Sequence, residues 1–164
     1  MKKVGILMGS DSDLPVLQKA FDTLESLQIP FEVHVYSAHR TPAEAKDFSV
    51  NARANGFGAI IAAAGMAAHL AGSIAANTTL PVIGIPVAAK YLDGMDALLS
   101  TVMMPTGMPV ATVAVNGAAN AALLAIQMLA ITDADLEKKL ADARAKGSAT
   151  VLEKNKAIEE KYNK

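Results

Sequence analysis

The stretch SAHRTP (37–42) places side chains suited to proton transfer and to phosphate binding next to each other. An imidazole can take up and release a proton near neutral pH, which makes His39 a candidate acid or base. Arg40 can hold a phosphate through two parallel hydrogen bonds, and the Ser37 hydroxyl can add another. The alternative for His39 is an ordinary surface histidine in a loop. The stretch predicts a phosphate site beside a proton-transfer group.

A second candidate loop is GSDSD (9–13), which contains a glycine, two hydroxyls and two carboxylates before a predicted helix. Ser10 and the N–H groups of a helix N-terminus favour an anion such as phosphate, and the Asp13 carboxylate can accept hydrogen bonds from ribose hydroxyls. Alternatively, Ser12 or Asp13 simply caps the helix. The glycine spacing is that of neither a dinucleotide fingerprint nor a Walker A loop.

A third candidate loop, AAGMAAHLAG (63–72), is built from small residues that allow its backbone to approach a flat ligand closely. His69 is expected in the first turn of a helix, either as a catalytic group or as a histidine hydrogen-bonded to the backbone. His34 is expected inside a strand, and we assign it no function. His39 and His69 lie on separate loops, and no third metal-binding side chain stands at the spacing of a known metal motif. No metal site is therefore predicted.

The sequence alternates between short apolar runs, which predict strands, and amphipathic segments, which predict helices. Each candidate loop follows one of the predicted strands. The strands are expected at 3–9, 31–37, 58–65, 81–87 and 109–115, and the helices at 14–28, 42–55, 66–79, 94–104 and 117–131. Thr41, Pro42 and Glu44 form a predicted capping box, and Gly56 is expected to close that helix. The fold class predicted is α/β: a three-layer α/β/α sandwich around a central parallel sheet, flavodoxin/Rossmann-like. Ligands of such sheets bind beyond the carboxyl ends of the strands.

The charged segment 132–164 is expected to form a C-terminal helical arm on a core of residues 1–131, with a break at Gly147. Together they are expected to form a single domain, 1–164. The arm is either a solvated tail or packs on a neighbouring subunit. We favour the second possibility because five apolar side chains need cover, namely Leu136, Leu140, Val151, Leu152 and Ile158.

Composition excludes several classes of function. The 164 residues carry a formal net charge of −1, which gives no general attraction to nucleic acid. The absence of cysteine excludes disulfides and thiolate chemistry and fits a reducing cytosol. Residues 110–131 are uncharged and long enough to cross a bilayer, but polar residues and a glycine divide them into a strand and a helix. We therefore expect no membrane segment and no nucleic-acid partner.

At the three loops the sequence resembles the PurE family of purine biosynthesis. The matching segments are MGSDSD (8–13), SAHRTP (37–42), AAHLAG (67–72), LPVIGIPV (80–87) and MPTGMPVATVAVNGAANAALLA (104–125). One branch of that family is a mutase of N5-carboxyaminoimidazole ribonucleotide (N5-CAIR), and the other carboxylates aminoimidazole ribonucleotide (AIR) directly with CO2. Arg40 and AAHL (67–70) resemble the mutase branch.

Three positions depart from the usual mutase pattern. Leu14 stands where a tryptophan usually follows GSxSD, and the other two lie in the third loop, which usually reads GGAAHLPG. Met66 replaces the second glycine and Ala71 replaces the proline. His69, the histidine of this segment, is retained. The departure at Met66 lies beside the expected base-binding loop, so it bears directly on the geometry of the site.

The resemblance implies a role for each candidate residue. His39 is expected to move the proton at the ring carbon that gains the carboxylate, with His69 as a second catalytic or supporting residue. The substrate-binding residues implied are Ser10 and Asp13 at the ligand, Ser37 and Arg40 at the 5′-phosphate, and Ala64, Gly65 and Leu70 at the imidazole and carboxylate.

The resemblance also implies a cytoplasmic homo-octamer, in which C-terminal helices embrace neighbouring subunits, and the use of no metal or organic cofactor. Two other functions stay open from the sequence. One is direct AIR carboxylation. The other is a non-catalytic, flavodoxin-like nucleotide-binding or flavin-binding module, against which the aromatic content of 4% argues.

Overall fold

A computed structural model describes residues 1–163, and its centre is a sheet of five parallel strands. The strands are β1 (Lys3–Met8), β2 (Phe31–Val35), β3 (Phe57–Gly65), β4 (Val82–Val87) and β5 (Ala111–Thr112). The helices are α1 (Leu14–Ser26), α2 (Pro42–Asn51), α3 (Leu70–Ala75), α4 (Met95–Val102), α5 (Ala118–Ala130) and α6 (Ala134–Tyr162). Short 3₁₀ turns precede α1 at Asp11–Asp13 and α4 at Leu92–Gly94.

The sheet is covered on both faces, as the predicted three-layer α/β/α fold requires. Successive side chains of a strand point to opposite faces, so β3 contributes Ile61 to one core and Ile60 to the other. The first core contains residues of α1 and α5, and the second contains residues of α2 and α3. Strands buried on both sides explain why β3 and β4 are apolar throughout.

The strand order is β2-β1-β3-β4-β5, with every neighbouring pair parallel. This is the doubly wound order in which the chain changes direction across the sheet between β1 and β3. The loops at the carboxyl ends of β1 and β3 diverge to opposite faces at that point and leave a crevice. The topology therefore positions GSDSD (9–13) and AAGMAAHLAG (63–72) on either side of one opening.

Besides the second helix, which was expected to reach residue 55 but ends at Asn51, three predicted elements differ from the observed ones. The fifth strand, expected at 109–115, pairs regularly only over Ala111–Thr112, although Val113 and Asn116 still donate backbone hydrogen bonds to Gly84 and Pro86 of β4. The third helix, expected at 66–79, begins only at Leu70. Two residues before it, Met66 and His69, have φ values of 51° and 57°, which a right-handed helix cannot include.

The third difference is in the C-terminal arm, where α6 runs unbroken through Gly147. A single glycine costs only about 1 kcal/mol relative to alanine in a helix, and strong helix formers surround this one. Leu136 is buried and Leu140 packs against the first core, whereas Val151, Leu152 and Ile158 are exposed. In residues 1–163 no helix is both long and apolar enough to cross a membrane.

Candidate active site

A cleft of about 660 Å³ opens at the carboxyl ends of β1, β2, β3 and β4. Eight of the nine predicted site residues line it: Ser10, Asp13, Ser37, His39, Arg40, Ala64, Gly65 and Leu70. The ninth, His69, does not. The cleft has a polar side and an apolar side. The loops after β1 and β2 contribute all its polar side chains, and the segments after β3 and β4 contribute only apolar ones.

The loop after β2 is folded around the Ser37 hydroxyl, which accepts hydrogen bonds from the backbone N–H groups of His39 and Arg40 at 3.3 and 3.2 Å. This turn holds the two side chains next to each other at the cleft. The Arg40 guanidinium donates from Nη2 to the carbonyl oxygen of Gly9 at 2.7 Å, which joins the loop after β2 to the loop after β1. Arg40 has further N–H groups with which to bind an anion.

The predicted capping box at the start of α2 is wrong. Thr41 is the N-cap residue, but its Oγ1 accepts a hydrogen bond from the Ser37 N–H at 2.8 Å and makes no cap bond within α2. The Thr41 side chain therefore stabilises the SAHRTP turn. The first N–H groups of α2 lack a side-chain cap and lie directly after Arg40, where they add positive potential.

The loop after β1 combines a hydroxyl cluster with one buried carboxyl group. Ser10 Oγ accepts hydrogen bonds from the Ser12 N–H at 3.3 Å and from Ser12 Oγ at 3.0 Å, so Ser10 is the cap of the 3₁₀ turn. Asp13 is only 7% exposed. Burial raises the pKa of the Asp13 carboxyl, a backbone hydrogen bond from Ser10 partly opposes that shift, and the Asp11 carboxylate adds to it. Asp13 is positioned to accept hydrogen bonds from a ligand in the cleft.

The apolar wall of the cleft consists mostly of small residues, with larger side chains at Met66, Leu70 and Val87. A Cβ on Gly9 would come within 3.8 Å of Ala64 Cβ, and a Cβ on Gly65 would lie 3.3 Å from the Val87 carbonyl oxygen. A larger residue at Gly65 would therefore press on the backbone of β4. The small residues Ala64 and Gly65 leave the backbone of β3 accessible from the cleft.

His69 does not line the cleft, and its ring contacts another helix. Its Nδ1 lies 2.5 Å from the carbonyl oxygen of Ser100 in α4, so the ring carries its proton on Nδ1 in this contact. A Cβ on Gly72 would be 2.2 Å from His69 Nε2, which shows how tightly the ring lies on α3. The imidazole thus links α3 to α4. The residues before and after His69 in the sequence, Ala68 and Leu70, both line the cleft.

Asn116 is a supporting residue that we did not single out from the sequence. Its Oδ1 accepts a hydrogen bond from the Ala88 N–H at 2.9 Å, and its own N–H donates to the Pro86 carbonyl at 2.8 Å. With φ at 57°, it adopts the left-handed conformation that asparagine tolerates well. The signal was the Asn-Gly pair directly after a predicted strand. Asn116 fixes the segment after β4 that borders the cleft.

The site supplies acid–base chemistry, anion binding and a surface for a flat ring. Among residues 1–163, no group of three or more histidine, aspartate or glutamate side chains is arranged to hold a metal ion. The side chains that line the cleft include no phenylalanine or tyrosine. The arrangement is suited to a phosphorylated ligand whose ring lies on small residues beside His39.

The chain shares sequence with known proteins over most of its length. The AIR carboxylase family matches residues 3–150. The chain is 50% identical over 157 residues to an N5-carboxyaminoimidazole ribonucleotide mutase of Pyrococcus horikoshii, covering 96% of this chain and 89% of that protein. It is 49% identical over 156 residues to the phosphoribosylaminoimidazole carboxylase of Saccharomyces cerevisiae, covering 95% of this chain but 27% of that protein.

The fold has a close relative among solved structures. A crystal structure of Treponema denticola PurE superposes with a TM-score of 0.86 at 25% sequence identity, covering 94% of this chain and 97% of that one. The family match spans most of the chain, including all three loops of the cleft. The chain therefore belongs to the AIR carboxylase (PurE) family.

Proposed function

We propose that this protein is an N5-CAIR mutase, an isomerase that converts N5-CAIR to 4-carboxyaminoimidazole ribonucleotide (CAIR) in purine biosynthesis. The observation that carries the proposal is the convergence in one cleft of His39, the Arg40 anchor and a wall of small residues. The name of the relative from Pyrococcus horikoshii, at 50% identity over nearly the whole chain, supports the same activity.

The polar side of the cleft binds the ribose phosphate in this proposal. Arg40 and Ser37 hold the 5′-phosphate, assisted by the uncapped N-terminus of α2. Ser10 contacts the ligand, and Asp13 accepts hydrogen bonds from the ribose hydroxyls. Since these groups are remote from the reacting atoms, they supply binding energy that positions the ring.

The imidazole ring lies on the apolar side, against the backbone of Ala64, Gly65 and Leu70. The carbamate bond between the exocyclic nitrogen and the carboxyl carbon breaks, CO2 leaves, and the nitrogen gains a proton. The electron-rich ring then attacks the same CO2 through C4, which forms a carbon–carbon bond. Loss of the C4 proton restores the aromatic ring. One proton is gained and one is lost, so the net reaction is an isomerisation.

His39 is the group that we propose moves this proton. It lines the cleft, it is held next to the phosphate anchor Arg40, and an imidazole is suited to both proton uptake and release near neutral pH. His69 was predicted as a second catalytic residue. With its Nδ1 on the Ser100 carbonyl, we propose that His69 instead positions the Ala68–Leu70 segment, which forms part of the cleft.

We further propose that the active form is a cytoplasmic homo-octamer of this single-domain chain and that it needs no metal or organic cofactor. The arm supports an oligomer, because Val151, Leu152 and Ile158 of α6 are each more than half exposed. A second apolar surface on α4 includes Met95 and Leu99, which are 55% and 52% exposed. Contacts between subunits would cover both surfaces.

Direct carboxylation of AIR is the second candidate, favoured by the name of the yeast relative at 49% identity. The two activities are separated by supplying purified protein either with N5-CAIR or with AIR plus bicarbonate and measuring CAIR. A mutase forms CAIR rapidly from N5-CAIR and poorly from AIR plus bicarbonate, and a carboxylase shows the reverse preference. Failure with both substrates, together with retained nucleotide binding, would favour the non-catalytic module. Flavin is the less suited ligand for such a module, since no phenylalanine or tyrosine lines the cleft.

A further inference from the structure

Thr41 does not line the cleft, yet its side chain holds the turn that carries His39 and Arg40. Its Oγ1 accepts a hydrogen bond from the Ser37 N–H at 2.8 Å and donates a longer one to the Ser37 carbonyl at 3.3 Å. The Thr41 N–H also donates to that carbonyl, at 3.0 Å. Both backbone polar groups of Ser37 are therefore bound to the residue that closes the turn.

The His39 side chain has no polar partner of its own to fix it. Within residues 1–163 its imidazole makes no hydrogen bond and no ion pair, and His39 is held through its backbone N–H on Ser37 Oγ. Arg40 differs, because its guanidinium also donates to the Gly9 carbonyl in the neighbouring loop. The backbone of the turn therefore sets the place of the imidazole, whereas the guanidinium has a second anchor.

The hydroxyl that holds this turn is not used to cap the helix that follows it. A threonine at the N-cap position usually accepts a hydrogen bond from an N–H of the first helical turn, which stabilises the helix. Thr41 is the N-cap residue of α2 and makes no such bond. Departures from the local rules of stability are expected at functional sites. This one lies two residues from the group proposed to move the proton.

We infer that Thr41 is a positioning residue, whose hydroxyl fixes the turn so that the His39 imidazole lies where the proton is transferred. The inference rests on the proposed mutase function and adds to it the group that orients the imidazole. Since Arg40 has its own contact with Gly9, loss of the hydroxyl should affect proton transfer more than phosphate binding. Displacement of a catalytic group by about 1 Å can lower a rate about a hundredfold.

The test compares variants of the full-length protein in the conversion of N5-CAIR to CAIR, with the Kd of a ribonucleotide 5′-phosphate measured on the same preparations. Thr41→Val keeps the shape of the side chain but replaces the hydroxyl with a methyl group. Thr41→Ser keeps the hydroxyl and removes the methyl group. Thr78→Val is the matched control, because the Thr78 hydroxyl also accepts a backbone N–H, that of Leu80, outside the cleft.

We expect Thr41→Val to lower kcat about tenfold to a hundredfold, with a change in Kd of less than about threefold. Retained binding shows that the variant is folded. Thr41→Ser and Thr78→Val should keep kcat near the wild-type value. The inference would be overturned by a wild-type kcat in Thr41→Val, by an equal loss in Thr41→Ser, or by a loss of binding in proportion to the loss of kcat.

A second measurement shows whether Thr41 acts through His39. In the His39→Asn background the imidazole is absent, so the addition of Thr41→Val should cause no further loss of kcat. A further loss as large as that in the wild-type background would show that Thr41 acts independently of His39 and would overturn this inference alone. Absence of CAIR with the wild type would overturn the proposed function and this inference with it.

Discussion

Arg40 Nη2 donates a hydrogen bond to the carbonyl oxygen of Gly9 at 2.7 Å, across 31 positions of sequence. This contact joins the loops at the carboxyl ends of two neighbouring strands, β1 and β2. It orients the guanidinium before any ligand binds, which reduces the entropy lost on binding a phosphate. The anchor of the cleft is thus also the bridge between its two polar loops.

Replacing Arg40 with alanine is expected to weaken binding of ribonucleotide 5′-phosphates by about 2 kcal/mol, or about thirtyfold in Kd, because a charge-assisted hydrogen bond is lost. Calorimetric titration with the 5′-phosphate and with the matching nucleoside measures this difference. Arg53→Ala, which removes a guanidinium bound to Thr79 outside the cleft, is the control. Equal affinity of Arg40→Ala and wild type for the phosphorylated ligand would refute the assignment.

Asp13→Asn is expected to stabilise the free protein at neutral pH while weakening ribonucleotide binding. Burial raises the pKa of the Asp13 carboxyl, so the folded state holds this proton more tightly than the unfolded chain does. The free energy of unfolding therefore falls as pH rises from the unfolded-state pKa of Asp13 to its folded-state pKa. Above the folded-state pKa the full destabilisation is present. Asparagine removes this ionisation, although it replaces an acceptor with a donor toward the ribose.

Thermal unfolding of Asp13→Asn and wild type across a pH series measures the effect. The stability gain should be largest above the raised pKa and shrink toward acid pH. Asp11→Asn, at an exposed position of the same turn, is the matched variant. A gain at Asp13 that stays constant across the series would contradict the link to ionisation.

Asn116 provides a test of the segment that borders the cleft after β4. Asn116→Gly keeps the left-handed backbone but loses the hydrogen bond to the Ala88 N–H, a cost of about 1 kcal/mol. Asn116→Ala also places a Cβ in the left-handed region, so we expect a total of about 2 kcal/mol or more. Urea unfolding measures the free energy of unfolding of the two variants. Equal destabilisation would show that the left-handed backbone conformation at residue 116 contributes nothing to the preference for asparagine.

The oligomer is tested through the apolar residues of α6. The double variant Leu152→Asp with Ile158→Asp should lower the mass measured by multi-angle light scattering, since charged groups cannot be buried unpaired between subunits. Lys146→Asp, an exposed position on the same helix, should leave the mass unchanged. A double variant with the wild-type mass would exclude this arm surface from the contacts between subunits.

Much of this architecture follows from local sequence patterns. Strands such as β3 and β4 are continuous apolar runs bounded by turn residues, so their type and parallel pairing are predictable. Because ligands of parallel sheets bind at the carboxyl ends of the strands, SAHRTP (37–42) and GSDSD (9–13) are predicted to meet at one edge of the sheet, and both line the cleft. These predictions rest on periodicity and topology, which need no knowledge of side-chain contacts.

Features that depend on tertiary contacts were not predictable in this way. The Thr41 hydroxyl binds Ser37 rather than the helix that it precedes, because the turn competes for the same side chain. The His69 ring turns to the Ser100 carbonyl, a partner 31 residues away that no local pattern indicates. Met66 was visible as a departure from the family pattern, but its strained backbone was not.

If His39 transfers the proton while Arg40 holds the phosphate, replacement of His39 should remove catalysis and leave binding intact. Turnover of N5-CAIR to CAIR by His39→Asn is compared with wild type, with ribonucleotide affinity measured on the same preparations. We expect kcat to fall by about a hundredfold to ten-thousandfold with nearly unchanged Kd, as for removal of a general acid–base group. A variant that retains kcat, or that loses activity only in proportion to lost binding, would contradict it.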